Sequence, residues 1–239
     1  MERRPGFAPE ELKPRYDVET IVEDAWHAYS GQETARILAD NLPLAKAQSK
    51  LLLNAGAGIY QIRIPPWEEV SVDLFPTPLR GHPRSVCATV EQLPFPAAEF
   101  GAIVCVGEVL GYCDPARAIA EFSRVLAPRG LLICDFGNSG SARHWFTPAH
   151  SRTADMIVDM YNGTPERIWV YDPAYIQSVL RSCGFEVLRT IGTHTWSAVG
   201  RKLGLPTSKA LGLQSWLRWL PFPTAFADLT TIAAVRSEA

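Results

Sequence analysis

The stretch that decides the fold is LLLNAGAG, residues Leu51–Gly58. Three consecutive leucines are typical of a strand that is covered on both faces of a parallel sheet. Gly56 and Gly58 allow backbone angles that a side chain disfavours, and they let a ligand approach the main chain closely. Nucleotide-like cofactors bind at such strand-to-glycine turns in open α/β sheets, and a tight turn without a ligand has the same signature.

An acidic residue follows this turn. Residues 70–74 (VSVDL) are predicted to form the second strand, with Asp73 at its end, roughly 20 residues past the glycines. A carboxylate there can accept hydrogen bonds from both hydroxyls of a ribose. The alternative is an ordinary strand-end acid that caps the turn before Pro76. Pro65 and Pro66 argue against a full helix between the two strands, because proline cannot continue a helix interior.

The rest of the chain alternates strands with helices. Asp114-Pro115 and Asp172-Pro173 each combine an N-cap residue with a proline in the first turn, so a helix is predicted to start at both. Further strands are predicted at 85–90, 100–106, 131–136, 185–191 and 228–236. This order predicts an α/β fold, a Rossmann-like three-layer sandwich with a seven-stranded, mostly parallel sheet. We expect Leu51–Asn54 near the sheet centre and an antiparallel last strand that pairs with the preceding one.

The chain of 239 residues is long enough for one large α/β domain. Residues 1–47 are predicted to be an N-terminal arm, mobile over residues 1–16, followed by a helical cap. The core is predicted at 48–192 and 227–239, with an insertion at 193–226 between the last two strands. The helices before the first strand either cover a cofactor site or simply pack on the core.

Composition argues against several classes of protein. The net charge is −2, which gives no reason to expect nucleic acid as a partner. Five cysteines without a CxxC pair predict free, buried thiols in a reducing cytoplasm, with neither a zinc site nor disulfides. The start of the chain shows no apolar signal region, and the apolar runs are too short to span a bilayer. We therefore predict a cytoplasmic protein.

The insertion mixes apolar and basic residues. Trp216, Trp219 and Phe222 lie close together in sequence and are interrupted by Arg218. This pattern is typical of a lid over an apolar substrate or of a helix that contacts a lipid or membrane surface. The alternative is packing, either on the core or on a second subunit in a homodimer.

Five motifs, taken together and in order, carry a family resemblance. They are NAGAG (54–58), VD (72–73), EQLPFP (91–96), the strand at 100–106, and RVLAPRGLL (124–132). In this order they resemble class I S-adenosylmethionine-dependent methyltransferases, and most closely the small-molecule branch related to the ubiquinone-biosynthesis methyltransferases. The resemblance covers residues 50–136 well, and 172–191 and 228–236 more loosely.

The resemblance implies S-adenosylmethionine as cofactor and a small-molecule substrate. The glycine turn would face the methionine end, Asp73 would bind the ribose, and the chain after the third and fourth strands would border the adenine and the sulfonium. Residue by residue, the implied contacts are Asn54, Ala55, Gly56, Ala57 and Gly58 at the methionine end, Asp73 and Leu74 at the ribose and adenine, Thr89, Val90 and Glu91 at the adenine edge, and Val106, Gly107 and Glu108 below the sulfonium.

The chain also departs from the family pattern. Asn54 and Thr89 replace acids, Tyr60 replaces a glycine, and Gly101 replaces an aspartate. Two hypotheses therefore stay open: a methyltransferase for an apolar or glycosylated small molecule, and a non-catalytic methyltransferase-fold protein that serves as a binding or partner subunit. A nicotinamide-dependent oxidoreductase fits less well, because Gln61 stands where its motif needs a last glycine.

Tyr112 and His144 are the candidate catalytic bases, because they are predicted to lie near the ends of the fourth and fifth strands, where the acceptor should bind. The alternatives are a packing role for Tyr112 and an exposed loop position for His144.

Overall fold

The computed structural model describes residues 6–18, 25–161, 164–217, 220 and 224–238. Within these ranges the strands form one sheet and the helices flank it. The strands are β1 Leu51–Ala55, β2 Glu68–Asp73, β3 Ser85–Cys87, β4 Phe100–Cys105, β5 Leu126–Asn138, β6 Ala154–Tyr161, β7 Thr164–Tyr171, β8 Phe185–Thr193 and β9 Leu229–Arg236. The α-helices are α1 Pro9–Tyr16, α2 Ala25–Asn41, α3 Pro115–Val125, α4 Pro173–Ser182, α5 Thr195–Lys202 and α6 Thr207–Leu217.

The seven predicted strands are present in a mostly parallel sheet, but the sheet of the described residues has nine strands. Strands β3, β2, β1, β4 and β5 are neighbours in that order and run parallel. β9 pairs antiparallel with both β5 and β8, so the last two predicted strands form a hairpin around the insertion. Leu53 pairs with Val70 on one side and with Ile103 on the other, which places β1 near the centre as expected. The third strand is shorter than predicted and ends at Cys87.

A second hairpin, formed by β6 and β7, is an addition that the sequence analysis missed. The two strands pair antiparallel from Ala154↔Tyr171 to Tyr161↔Thr164. β7 continues the sheet because Gly137 and Asn138, at the end of β5, pair in parallel with Val170 and Tyr171. The hairpin therefore extends the sheet at the carboxyl end of β5, where the fold positions its site.

The N-terminal region differs from the prediction. Residues 9–16, expected to be mobile, form α1, and Phe7 N donates to the carbonyl oxygen of Tyr112. The side chain of Tyr16 also hydrogen-bonds Tyr112, so the arm is attached to the core by specific contacts. Within the described residues, the predicted helical cap contains one continuous helix, α2, from Ala25 to Asn41. Residues 19–24 lie outside the described residues.

Apolar layers on both faces of the sheet make the three-layer sandwich. On one face Ile119, Phe122 and Leu180 of α3 and α4 pack against the strands. On the other face Ile37 and Leu38 of α2 do the same. Both predicted helix starts are confirmed: Asp114 accepts hydrogen bonds from Ala116 N and Arg117 N, and Asp172 accepts one from Ala174 N.

The insertion contains α5 and α6. Trp216 is 78% exposed, whereas Trp219 and Phe222, the other proposed lid residues, lie outside the described residues. In the described part of the chain, no helix has the length and apolar character needed to cross a membrane. The domain boundaries, the lipid contact and the homodimer stay predictions. The cysteines are free, but Cys87 is exposed and not buried as expected.

Candidate functional site

The glycine turn directly follows β1 and is held by β2. Gly56 N and Ala57 N both donate to the carbonyl oxygen of Val72, at 2.8 and 2.9 Å. Gly56 (φ +74°) and Gly58 (φ +53°) lie in the left-handed region that favours glycine. A Cβ on Gly56 would lie 2.4 Å from Val109 Cγ2, whereas one on Gly58 would meet nothing within 4 Å. The turn is therefore closed on its inner side and open to a ligand at Gly58.

Asn54 and Glu69 brace the loop that follows the turn. The Asn54 amide donates to Tyr60 O and to Glu69 Oε1, both at 2.9 Å. The other carboxylate oxygen of Glu69 accepts from Ile62 N at 2.5 Å. The amide nitrogen of Asn54, a predicted cofactor contact, thus points into the loop. An acid on the adjacent strand holds the chain where the usual first helix is missing.

Asp73 stands at the end of β2 beside the open side of the turn. Its Oδ2 accepts from Gly58 N at 2.8 Å, and its Oδ1 accepts from Phe75 N at 3.0 Å. Burial raises its pKa, and these backbone hydrogen bonds oppose the shift. Each carboxylate oxygen retains a lone pair, so the group can still accept hydrogen bonds from a diol.

The other predicted adenine contacts have mixed surroundings. Val90 is part of the apolar core. Glu91 Oε1 accepts from Asp114 N at 2.8 Å, and its other oxygen lies 3.3 Å from Arg117, so its carboxylate caps the start of α3. Thr89 Oγ1 accepts from Glu91 N, and Leu74 is half-buried beside Asp73. Because its side chain is in the core, Val90 can face a ligand only through its main chain.

The chain after β4 turns sharply above Asp135. Gly107 (φ +87°) and Glu108 (φ +60°) both have left-handed backbones. Asp135 holds them, because Oδ2 accepts from Gly107 N at 3.1 Å and Oδ1 accepts from Glu108 N at 2.8 Å. Val106 packs against the apolar layer under α2, while Gly107 is exposed. The turn leaves open space at Gly107 and directs the Glu108 side chain inward.

A small polar cavity of ≈ 30 Å³ adjoins this turn, room for one or two water-sized groups. It lies between the ends of β4 and β5, the β6–β7 hairpin, α2 and α5. Its apolar wall includes Ile157, Ile168 and Val170, and Trp26 of α2 contributes an aromatic ring. The polar residues that line it are Glu108, Arg143, His144, Asp159, Arg201 and Asp228.

Two arginines neutralise two of the carboxylates in this cavity. Arg143 lies 2.7 Å from Asp159 and 3.2 Å from Asp228, and Arg201 lies 3.3 Å from Asp159. Although Asp228 is buried, Arg143 and Arg201 lower its pKa, and a hydrogen bond from Ser141 adds to this effect. These groups form a connected charged network at the carboxyl ends of the central strands.

Glu108 is the remaining carboxyl of the cavity. Burial, reinforced by the charges of Asp135, Asp228 and Asp159, raises its pKa from 4.5 to about 8. Burial likewise raises the pKa of Asp135 to about 6. Shifts of this size in a cavity are typical of functional sites.

The two predicted bases occupy different places. His144 lines the cavity and is only 7% exposed, so the alternative of an exposed loop histidine is wrong. Burial, followed by the charge of Arg143, lowers its pKa. Tyr112 instead lies under α1: its hydroxyl is 2.8 Å from that of Tyr16, which donates to Glu166 at 2.5 Å. Burial raises the pKa of Tyr112 well above its usual value, so it is a poor base.

A second cavity of ≈ 380 Å³ lies beside α4 and β8. Gln177, Thr190 and Thr230 line it, and Asp172, its acidic residue, already caps α4. It offers polar contacts but no free acid or base, so the smaller cavity is the better candidate for chemistry.

The sequence analysis assigned no role to Arg143, Asp159, Arg201 or Asp228. One signal for the hairpin that carries Asp159 was present: Asn162-Gly163, a preferred pair for a two-residue hairpin turn. No comparable signal pairs Arg143 with Asp228, because they are distant in sequence.

Comparison with known proteins agrees with this geometry. Residues 53–134 match the family model described as a methyltransferase domain. No curated protein sequence matches the chain significantly. Three solved structures are similar in fold. The geranyl diphosphate C-methyltransferase of Streptomyces coelicolor A3(2) has a TM-score of 0.60 and 13% identity, covering 95% of this chain and 98% of that one.

The other two structures have comparable TM-scores and sequence identities. A putative S-adenosylmethionine-dependent methyltransferase from Listeria monocytogenes has a TM-score of 0.60 and 11% identity, covering 87% of this chain and all of that one (100%). The (4+2)-cyclase SpnF has a TM-score of 0.58 and 16% identity, covering 92% and 86%. At these identities the likeness shows the fold.

The strand order, the glycine turn and the match over residues 53–134 support a class I methyltransferase fold. Residues 53–134 match the methyltransferase domain family, and this match, with the fold neighbours, supports S-adenosylmethionine as the cofactor.

Proposed function

We propose that this protein transfers a methyl group from S-adenosylmethionine to a small molecule bound at the cavity beside Glu108. The observation that carries the proposal is the pairing of an open glycine turn with Asp73, whose carboxylate accepts from Gly58 N at 2.8 Å. Both groups border the same open space at the carboxyl ends of β1 and β2. The family match over residues 53–134 supports this assignment.

The residues present fit the cofactor. Asp73 would accept hydrogen bonds from the ribose hydroxyls, and the backbone at Gly56–Gly58 would face the methionine end. The open side of Gly107 would adjoin the sulfonium. Thr89, Val90 and Leu74 would border the adenine, mainly through their backbone. Once bound, the cofactor supplies an electrophilic methyl group, so the protein's own task is orientation, exclusion of water and handling of a proton.

The polar cavity changes the expectation for the acceptor. The sequence analysis expected an apolar or glycosylated molecule, with Tyr112 or His144 as base. A cavity lined by Glu108, Arg143 and Asp228 favours instead a polar group at the reacting end. The exposed apolar residues of the insertion are then available to contact a less polar remainder of the molecule.

The non-catalytic hypothesis remains the second candidate. Asn54 uses its amide nitrogen inside the loop, so the methionine end loses the acid that the family usually supplies there. The similarity to the cyclase SpnF also supports it, because that fold relative is named for another reaction. Cofactor binding and turnover separate the two candidates.

Calorimetric titration of S-adenosylmethionine into wild type and Asp73→Ala tests the cofactor site. The substitution removes two charge-assisted hydrogen bonds, each worth about 1.5–3 kcal/mol, so affinity should fall by at least about tenfold. Glu186→Gln, an exposed change on β8, serves as the control. Equal affinity in wild type and Asp73→Ala would refute the site, and no binding to wild type would favour the non-catalytic candidate.

A further inference from the structure

The Glu108 carboxyl differs from the other acids around the polar cavity. Asp159 and Asp228 have guanidinium partners, and Asp135 accepts two backbone hydrogen bonds. Within the part of the chain that the structure describes, the Glu108 carboxyl has no hydrogen-bond or ion-pair partner. The residue is half-buried, and a partly desolvated carboxyl without a protein partner is usually completed by a ligand or water.

Among the described residues, an ionised Glu108 lacks an ion-pair partner in the cavity. Arg143 and Arg201 lie within ion-pair distance of Asp159 and Asp228, and Arg143 acts on Glu108 only as a more distant charge. The histidine in the wall cannot supply the charge, because burial and Arg143 lower the pKa of His144. A cationic ligand group would therefore complete the cavity, and an anionic one would be repelled by Glu108.

The backbone makes space for this carboxyl. A Cβ added to Gly137 would lie 3.0 Å from Glu108 Oε1 and 2.9 Å from Val170 Cγ1. Because position 137 has no side chain, the carboxyl can enter the cavity from the left-handed turn at Glu108. The cavity has room for one or two heavy atoms, the size of an aminomethyl group.

We propose that the acceptor is an amine, and that Glu108 binds its ammonium group in the polar cavity and removes the proton before methyl transfer. This inference rests on the proposed function and deepens it by naming the substrate class and the base. Asp159 and Asp228 do not act as the base, because their carboxylates are engaged in ion pairs with Arg143 and Arg201.

The proton and electron movements are simple. The Glu108 carboxylate takes one proton from the ammonium nitrogen and becomes a neutral carboxylic acid. The freed nitrogen lone pair forms the new N–C bond to the methyl carbon. The C–S bond breaks at the same time, its electron pair stays on sulfur, and the positive charge passes from sulfur to the methylated nitrogen. Release of the acidic proton to water restores Glu108.

Methylammonium is the probe for this site, because it has two heavy atoms and a full positive charge. The protein is labelled with ¹³C at the glutamate carboxyls, and NMR follows the carboxyl signals as the pH is varied. One titration is made in methylammonium chloride and another in sodium chloride of equal concentration. The signal that disappears in Glu108→Gln belongs to Glu108. A cation within about 4–6 Å should lower its pKa by about one unit or more, with no need for cofactor or activity.

Two matched measurements complete the experiment. Glu186→Gln, which changes an exposed acid on β8, should retain the Glu108 signal and its response to methylammonium. Sodium acetate, the anionic counterpart, should leave the pKa of Glu108 unchanged or higher. The inference is overturned if methylammonium and sodium chloride give the same Glu108 titration, or if acetate lowers it equally.

The outcomes also separate this inference from the proposed function. If wild type binds S-adenosylmethionine but methylammonium does not change the pKa of Glu108, the amine site is refuted and the methyltransferase assignment stands. If Glu108 responds to methylammonium but S-adenosylmethionine does not bind, the cation site stands and methyl transfer fails.

Discussion

Glu108→Gln should stabilise the folded protein at alkaline pH. The free carboxyl has a pKa of 4.5, and burial beside other carboxylates raises the pKa in the folded protein to about 8. Between these two values the folded state holds a proton that the unfolded state has lost. The unfolding free energy of wild type therefore falls as pH rises through this window, and glutamine, which has a similar shape, removes the effect.

The size of the effect follows from the two pKa values. Each pH unit changes the unfolding free energy by roughly 1.4 kcal/mol per displaced proton. From pH 4.5 to about 8, the difference between the variant and wild type should grow by a total on the order of 4 kcal/mol. The charged and titratable groups that face Glu108 are Tyr112, Asp135, Arg143, His144, Asp159, Arg201 and Asp228. These groups are present in both proteins, so their own titration largely cancels in the difference.

Urea unfolding at a series of pH values from about 5 to about 9 measures this difference. Wild type, Glu108→Gln and Glu186→Gln are compared, and Glu186→Gln should run parallel to wild type because Glu186 is exposed. Parallel curves for wild type and Glu108→Gln would refute the reasoning, since they would mean that the Glu108 carboxyl ionises in the folded protein as it does in water.

Three further substitutions test the cavity and the turn. Arg143→Met leaves the buried Asp228 without its ion-pair partner, so urea unfolding near pH 7 should show a loss of about 3–5 kcal/mol; a loss below about 1 kcal/mol would mean that the network is solvated. Gly56→Ala adds a clash 2.4 Å from Val109 Cγ2 to its left-handed strain and should cost about 2–4 kcal/mol in thermal or urea unfolding, whereas Gly58→Ala, which meets only open space, should cost about 1–2 kcal/mol. Equal losses for the two alanines would contradict the packing assigned to the inner side of the turn.

Local sequence patterns predicted most of the fold. Apolar runs such as Leu51–Leu53 and Phe100–Val106 have the composition of strands buried on both faces, and Asp-Pro pairs at 114–115 and 172–173 cap helices through contacts within one turn. These signals depend on neighbours in sequence, so they survive without tertiary information. The β6–β7 hairpin was missed although Asn162-Gly163 signals such a turn, because its strands alternate weakly and carry several charges.

The sequence by itself determined the alternation of strands and helices, the glycine turn and the acid at the end of β2, because apolar runs, helix caps and turn residues act between neighbours in sequence. Only the tertiary structure decided what surrounds Glu108. Arg143 and Asp228 are distant in sequence. Asp159 lies on the β6–β7 hairpin, which was not predicted, and Arg201 lies in the insertion. Burial and the charges of distant segments raise the pKa of Glu108, and no local pattern records which segments will meet.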